Sequence, residues 1–155
     1  MRSIHNWLDE YGESHRNPVN KRLHWICVPL IVLSLIGLLW SIPVPHDWAA
    51  RSAFLNWGVL FILLALVYYY MLAWRLALGM TVLTCIVCGV IYAANRLSVP
   101  LWLLSLSVFV LAWIGQFIGH KIEGKKPSFF KDIQFLLIGP LWLLAFVYRR
   151  AGLNY

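Results

Sequence analysis

Two histidines lie where the chain changes from polar to apolar, in the stretch YGESHRNPVNKRLHW at residues 11–25. The Asn-Pro pair between them is typical of a helix start, because asparagine is a good N-cap and proline suits the first helical position. Counted from there, Asn20 and His24 are four residues apart and share a helical face. His15, just upstream of the cap, can fold back over that face. This junction is predicted to direct two imidazoles and an amide to one place.

A second group of polar side chains lies in WIGQFIGHKIEGKKPS, residues 113–128. Gln116, His120 and Glu123 are spaced by four and then three residues, so they share one helical face. A glycine and a proline after Glu123 are predicted to end this helix. Two earlier glycines, four residues apart, let another helix approach closely, either within the chain or in a homodimer.

Three imidazoles and a carboxylate are suitable ligands for a divalent metal. Neutral imidazole suits zinc, copper and iron, whereas two or more histidines with a carboxylate are typical of non-haem Fe(II) that reacts with O₂. The candidate metal ligands and catalytic residues are His15, His24, His120 and Glu123. The simpler interpretation is that each histidine is an ordinary interfacial residue, that Asn20 and Gln116 bond helices together, and that Glu123 pairs with Lys121 or Lys125.

The composition predicts the kind of element that positions these residues. The chain has 155 residues, of which 61% are apolar and 12% charged, and its mean hydropathy is +0.73. A soluble domain would be about half apolar and about a quarter charged, so most of this surface must face lipid. Long apolar runs, with helices and closed barrels as the only spanning structures, predict one all-α domain over residues 1–155, a polytopic membrane helix bundle.

Four segments are long enough to span a bilayer core, which needs roughly 17–25 residues. They are residues 18–40, 54–74, 76–94 and 99–123, and the middle two form a tight antiparallel hairpin. A fifth stretch, 133–148, is short and broken by a Gly-Pro pair, which predicts a kinked or re-entrant element. Residues 3–15 carry an apolar stripe at helical spacing, which predicts an interfacial helix with Trp7 and Tyr11 as headgroup anchors.

Basic residues predict the orientation, because they accumulate in cytoplasmic loops. A cytoplasmic N-terminus places on that side Arg2, Arg16, Lys21, Arg22, Arg75, Lys121, Lys125, Lys126 and Lys131. Only Arg51 and Arg96 then lie opposite, provided that the last segment returns with Arg149 and Arg150. The candidate site would lie at the cytoplasmic edge, facing anionic lipid. Nucleic acid is not expected as a partner, since no basic run is interleaved with exposed aromatic residues.

Some chemically capable residues are left out of the candidate site. His46 falls on the opposite side of the membrane, and His5 is expected on the surface of the first helix. Cys85 and Cys88 form a C-x-x-C motif inside an apolar run, where a thiolate is disfavoured, so inert packing is the expected role.

The two polar stretches resemble the signature blocks of the Mpo1-like family. The resemblance depends on Tyr11, His15 and His24 with the intervening asparagines, and on Q-F-I-G-H followed by a glutamate. It covers most of the chain, including the order of spans. Where relatives often carry Pro-Ala after the basic residues, this chain has Pro-Ser. The family resemblance implies an integral membrane, Fe(II)-dependent dioxygenase that performs α-oxidation of 2-hydroxy fatty acids.

Carried over by position, the resemblance marks His15, His24 and His120 as iron ligands, and Glu123 as a fourth ligand or as a residue that orients an imidazole. It makes substrate-positioning or supporting residues of Asn17, Asn20 and Gln116, and Tyr11 is a further candidate. By proximity alone, Lys21 or Arg22 could hold the substrate carboxylate. The implied cofactor is Fe(2+), and the substrates are a 2-hydroxy fatty acid and O₂. No organelle signal is evident, so a bacterial inner membrane is the expected location; for a eukaryotic host the resemblance implies the endoplasmic reticulum.

Two other classes of function remain open at this stage. A lipid-binding scaffold or transporter is one, although a transporter should show more polar residues near the middle of its spans. A zinc-dependent lipid hydrolase is the other, because residue type alone does not distinguish zinc from iron. Metal content and O₂ uptake would separate the three.

Overall fold

The computed structural model describes residues 3–127 and 134–155, and every regular element in those ranges is an α-helix. In chain order they are α1 (Ile4–Glu13), α2 (Pro18–Trp40), α3 (His46–Arg51), α4 (Trp57–Ala94), α5 (Leu101–Glu123) and α6 (Phe135–Arg150). The prediction of an all-α chain is confirmed. The short helix α3 was not predicted.

Helix α1 forms where the apolar stripe predicts it, although it ends at Glu13, before His15. The Ser3 hydroxyl caps it by accepting from the Asn6 amide at 3.3 Å. The stripe is buried in protein, with Trp7 and Tyr11 each only 7% exposed, and the Trp7 ring meets the edge of Phe135 on α6 at 5.1 Å. The expectation that these two rings anchor α1 among headgroups is therefore wrong, because α6 covers the face that would have met lipid.

Helix α2 has the bounds predicted for the first span. The Asn17 side-chain oxygen accepts from the Val19 amide at 2.8 Å, and Pro18 occupies the first helical position. An N-cap of this kind satisfies backbone donors that would otherwise lack partners. The cap fixes where α2 begins and thereby fixes the direction in which His24 points.

Helix α4 contains two of the predicted spans and folds back at Ala73, whose φ of −160° and ψ of 86° are not helical. A straight helix of its 38 residues would be about 57 Å long. The rings of Phe54 and Tyr92, near its two ends, are nevertheless stacked at 5.5 Å. The hydroxyls of Tyr70 and Thr81, on either side of the kink, are 3.1 Å apart. Its two arms therefore lie against each other as a hairpin.

Helices α2 and α5 form the most extensive helix pair of the bundle and run antiparallel. Added Cβ atoms at Gly115 and Gly119 would overlap the side chains of Cys27 and Asn20 on α2, with 2.6 Å to the sulfur of Cys27. Both glycines are thus required for close contact inside the chain, as small residues are in membrane helix pairs. The surface that a homodimer would need from these glycines is already occupied by α2.

The bundle has two ends of different character. The histidine end contains His15, His24 and His120. The Ala73 kink of α4 lies at the same end, because α6 contacts α4 on both sides of the kink. At the apolar end, a separate cluster packs the far ends of the same helices, namely Ile36, Trp40, Ile62, Ile91 and Leu101.

Helix α6 lies across the histidine end. Near its start, the Leu137 carbonyl accepts from the Tyr69 hydroxyl at 2.9 Å; near its finish, the Tyr148 hydroxyl donates to the Arg75 carbonyl at 3.1 Å. Both ends of α6 therefore contact α4 within four residues of its kink. The helix contains Pro140 and has 16 residues. The prediction for 133–148 thus coincides with a helix, although residue 133 lies outside the described residues.

Three of the described helices, α2, α4 and α5, are long and apolar enough to cross a membrane. Large apolar side chains project outward from α4, and Leu64, Val67 and Met71 are 63%, 58% and 65% exposed. Contiguous apolar surface of this kind is rare on soluble monomers. The architecture is consistent with an integral membrane protein.

Candidate metal centre

His15 and His24 are each held by a backbone carbonyl on their own side of the helix junction. The Nδ1–H of His15 donates to the Tyr11 carbonyl at 2.6 Å, and the Nδ1–H of His24 donates to the Asn20 carbonyl at 3.0 Å. Both side chains are only 1% exposed. Since a carbonyl oxygen can only accept, both Nδ1 atoms carry the proton. The tautomer of each neutral ring is thereby fixed, with its lone pair on Nε2.

These two lone pairs point at each other. The Nε2 atoms of His15 and His24 are 2.7 Å apart. With neither nitrogen carrying a proton, this contact is unfavourable unless a cation lies beside both atoms. Protonating one ring would supply a hydrogen bond, but burial opposes a charged imidazole. For His15, burial lowers the pKa to about 4, so its ring is neutral and able to bind a metal at neutral pH.

His120 supplies the third ring. Its ring centroid lies 5.1 Å from that of His15 and 5.0 Å from that of His24. Its Nδ1 is buried and has no hydrogen-bond partner among the residues that the structure describes. One nitrogen from each histidine lies within 4.8 Å of the others. Two opposed lone pairs and an orphaned nitrogen fit a metal ion held by three imidazoles, because neutral imidazole is the commonest metal ligand.

Glu123 has a different set of partners from the one that the sequence suggested. Its carboxylate accepts from the backbone amides of Arg16 and Asn17 at 2.9 and 2.8 Å, and from the Asn20 side chain at 3.1 Å. Within residues 3–127 and 134–155 it forms no ion pair with Lys121 or Lys125 and lies outside the three-histidine group. The carboxylate therefore attaches the α1–α2 junction to the end of α5. Its role as a fourth metal ligand stays a prediction.

Asn17 and Asn20 complete this attachment, which we call the junction latch: Glu123 with Arg16, Asn17 and Asn20. Besides its bond to Glu123, the Asn20 amide donates to the Ser14 carbonyl at 3.1 Å. On the other side of the junction, the Lys125 ammonium donates to the Glu13 carbonyl at 2.8 Å. The latch holds the segment that carries His15 over the end of α5, where His120 lies.

Tyr11 and Gln116 both line a small cavity beside the histidines. The cavity has a volume of about 50 Å³, and His24 and His120 contribute to the same wall. The Tyr11 ring stacks on the His15 ring at 4.2 Å. Lys21 is exposed and does not line this cavity. The structure thus separates the predicted supporting residues into latch residues, cavity residues and a surface lysine.

The two excluded histidines lie away from the centre. His5 stacks on Tyr155 at 5.7 Å, and His46 begins α3, on the loop that follows the far end of α2. All three cysteines are free thiols. The structure also adds a residue that the sequence reasoning missed, since the Trp142 ring of α6 lies 5.4 Å from His15. In the sequence, the Gly-Pro pair just before Trp142 was the only nearby signal, and it predicts a kink but not the contact of Trp142 with His15.

Fold and site together define a helical protein of membrane type with a buried three-histidine centre at one end. The chain belongs to the Mpo1-like family, whose description is "2-hydroxy-palmitic acid dioxygenase Mpo1-like", and the match covers residues 1–151. The resemblance of the two polar stretches to this family is thereby confirmed. No curated protein and no solved structure shows significant similarity to the chain.

Proposed function

We propose that this protein is an Fe(II)-dependent dioxygenase that shortens 2-hydroxy fatty acids by one carbon. The observation that carries the proposal is the meeting of three neutral imidazoles in a chain whose family is named for this activity. The overall reaction balances as R–CHOH–COOH + O₂ → R–COOH + CO₂ + H₂O. It needs no organic co-substrate.

Three imidazoles alone do not distinguish iron from zinc or copper. Iron is the proposed metal because the family name specifies a reaction with O₂. His15, His24 and His120 would hold it. Bound iron would supply the redox chemistry that O₂ requires and a Lewis acid toward the oxygens of the substrate. The protein buries the three rings, which favours their neutral forms and excludes bulk water, and backbone carbonyls fix the tautomers of His15 and His24.

The cavity beside the histidines gives the proposed position of the substrate. Most of its other lining side chains are apolar and come from three helices, with Val28, Ile31, Val32, Trp113 and Leu136 among them. A 2-hydroxy acid placed there would have its polar head at His24 and His120 and its tail between α2, α5 and α6. Lys21 is exposed and is proposed to attract the carboxylate toward the site rather than to hold it.

We further propose that both arms of α4 cross the membrane, which gives four crossings with α2 and α5, and that the histidine end lies in the cytoplasm. The fold-back at Ala73 and the placement of α6 across one end support this topology. It puts on one face Arg16, Lys21, Arg22, Arg75, Lys121, Lys125, Lys126, Arg149 and Arg150. A bacterial inner membrane, or the endoplasmic reticulum in a eukaryotic host, would suit this charge distribution.

The proposal is tested by purifying the protein without oxygen, loading it with Fe(II) and adding 2-hydroxypalmitate and O₂. We expect the fatty acid with one carbon fewer and CO₂ in equal amounts, with one O₂ consumed per product. Zinc-loaded protein should be inactive. A zinc-loaded protein that instead releases fatty acid from an acyl-lipid ester without O₂ uptake would favour a zinc hydrolase, and absence of any turnover by iron-loaded protein would favour a binding scaffold.

A further inference from the structure

We propose that the Tyr11 hydroxyl and the Gln116 carboxamide form the subsite that recognises the head of the substrate, with Tyr11 reading the carboxylate and Gln116 the 2-hydroxyl. This inference rests on the proposed function and deepens it. It starts from a contrast among the polar side chains around the histidines. Some of them already have all the partners they need within the protein, whereas these two do not.

Tyr11 presents an unused hydroxyl to the cavity. The side chain is 7% exposed, and no residue that the structure describes hydrogen-bonds to its hydroxyl. The hydroxyl oxygen lies against α6, where a Cβ added at Gly139 would be 3.0 Å away. Glycine at that position leaves room for the hydroxyl group and its ligand. A phenol is neutral at pH 7, so the group offers a neutral donor to the cavity.

Gln116 is in a similar position on α5, one turn before His120. The side chain is 5% exposed and lines the same cavity as Tyr11, His24 and His120. None of the residues in 3–127 or 134–155 forms a hydrogen bond with its carboxamide. Asn20 differs, because both hydrogens of its amide already go to Ser14 and Glu123, and its oxygen, which has no partner among the described residues, lies against Gly119 rather than in the cavity.

The chemistry of the two groups determines which oxygen each one would meet. A 2-hydroxyl group donates one hydrogen, and of the two residues only Gln116 offers a carbonyl acceptor. A carboxylate accepts only, and the phenol of Tyr11 is a suitable neutral donor. No lysine or arginine among the described residues lines the cavity, so the donors that these residues offer the acid there are neutral.

The size of the cavity makes these contacts decisive for specificity. At about 50 Å³ it is far below the roughly 300–1,000 Å³ of pockets that enclose a whole ligand. Only the head of a long-chain acid fits, and the tail must leave between the helices. A site built to hydrogen-bond a substrate hydroxyl rejects an analogue that lacks it. Discrimination should therefore depend on the head group.

The test is the binding of 2-hydroxypalmitate and of palmitate to Fe(II)-loaded protein without O₂, in wild type, Tyr11→Phe and Gln116→Leu. We expect wild type to prefer the 2-hydroxy acid by at least about tenfold. Gln116→Leu should lose most of that preference, whereas Tyr11→Phe should weaken both acids by about tenfold. Iron content and melting temperature should stay at wild-type values. Tyr69→Phe is the matched control, since its equally buried hydroxyl donates to Leu137 outside the cavity.

Several results would overturn the subsite. One is that both variants keep the affinity of the wild type and its preference for the 2-hydroxy acid. Another is that either variant loses iron or melts at a lower temperature, which would indicate a packing role. A third is that the wild-type protein binds the two acids equally. The assay uses no turnover, so its outcome is separate from that of the proposed function. A protein that binds the acids as expected but consumes no O₂ would contradict the proposed dioxygenase function while supporting the subsite.

Discussion

The two ends of this bundle are built from the same helices but satisfy their buried polar groups differently. At the apolar end and in the adjoining turn, the hydroxyls of Ser34 and Ser41 donate to Leu30 and Gly37, four residues back on their own helix. At the histidine end, polar groups join different helices, as the half-buried Glu123 does with the α1–α2 junction. Self-satisfied hydroxyls are a local solution for a helix in lipid. Polar groups that link remote segments fix a geometry, which is what a metal centre requires.

The histidine end also contains groups that protein partners leave unsatisfied. The opposed Nε2 atoms of His15 and His24 and the orphaned Nδ1 of His120 have no counterpart in the cluster at the apolar end. Buried polar groups are almost always hydrogen-bonded, so exceptions that converge on one point indicate a missing ligand. Helices α2 and α5 therefore build stability at one end and a site at the other.

The largest effect is expected from the removal of one imidazole ring from the three-histidine centre. We expect His24→Ala or His120→Ala to lower iron content and O₂-dependent turnover by more than about 100-fold, because a second-sphere change alone costs up to about that factor. His46→Ala, on the exposed start of α3, is the matched control and should behave as wild type. Full iron content and turnover in either centre variant would show that the three rings are not the metal site.

The next largest effect should come from the junction latch. Glu123→Ala removes the acceptor for three hydrogen bonds, so the segment that carries His15 should shift and iron affinity should fall by about 10–100-fold. Glu123→Gln keeps one acceptor oxygen, so its iron affinity should lie between those of Glu123→Ala and the wild type.

The control for the latch is Glu13→Ala, because the exposed side chain of Glu13 is not needed for the bond that its carbonyl accepts from Lys125. Iron titration monitored in anaerobic detergent solution gives the affinities. An iron-bound Glu123→Ala protein with a new exchangeable water in place of the carboxylate would instead identify Glu123 as a metal ligand.

A smaller effect is expected from the contact between α2 and α5. Gly119→Ala would overlap the Asn20 side chain, and overpacking of this kind typically costs about 1–3 kcal/mol. We expect a lower melting temperature together with a partial loss of iron, since Asn20 belongs to the latch. Gly89→Ala is the control, because nothing lies within 4 Å of a Cβ there. Equal stability of the two variants would refute the close contact.

The smallest effect belongs to the apolar half. Ser34→Ala removes a hydroxyl that bonds only to its own helix, so we expect stability to change by less than about 1 kcal/mol. Iron content and turnover should stay at wild-type values. Thermal unfolding in detergent and an iron assay measure both. A loss of iron in this variant would mean that the two ends are coupled, contrary to the comparison.

The sequence predicts this fold well where the determinants are local. The apolar stripe of α1 and the N-cap at Asn17 depend on residues within one or two turns, and a helix forms at each. The meeting of His24 and His120 could also be predicted, because two antiparallel spans return the chain to the same side. Length and hydropathy were enough for that step.

The rest depends on contacts that no local pattern encodes. Helix α1 looks interfacial by its stripe alone, yet α6 covers it, and α6 is difficult to recognise because Pro140 interrupts a short apolar run. The spacing of Glu123 from His120 indicates a candidate ligand, but it does not reveal the bonds of this carboxylate to the α1–α2 junction. Those latch contacts depend on the three-dimensional position of the junction.

The most direct test of the central claim is X-ray absorption at the iron edge of the Fe(II)-loaded wild-type protein, with iron and protein quantified in the same sample. The account predicts one iron per chain whose coordination sphere includes three imidazole nitrogens. Iron bound through fewer than two imidazoles, or protein that takes up no iron at all, would contradict it.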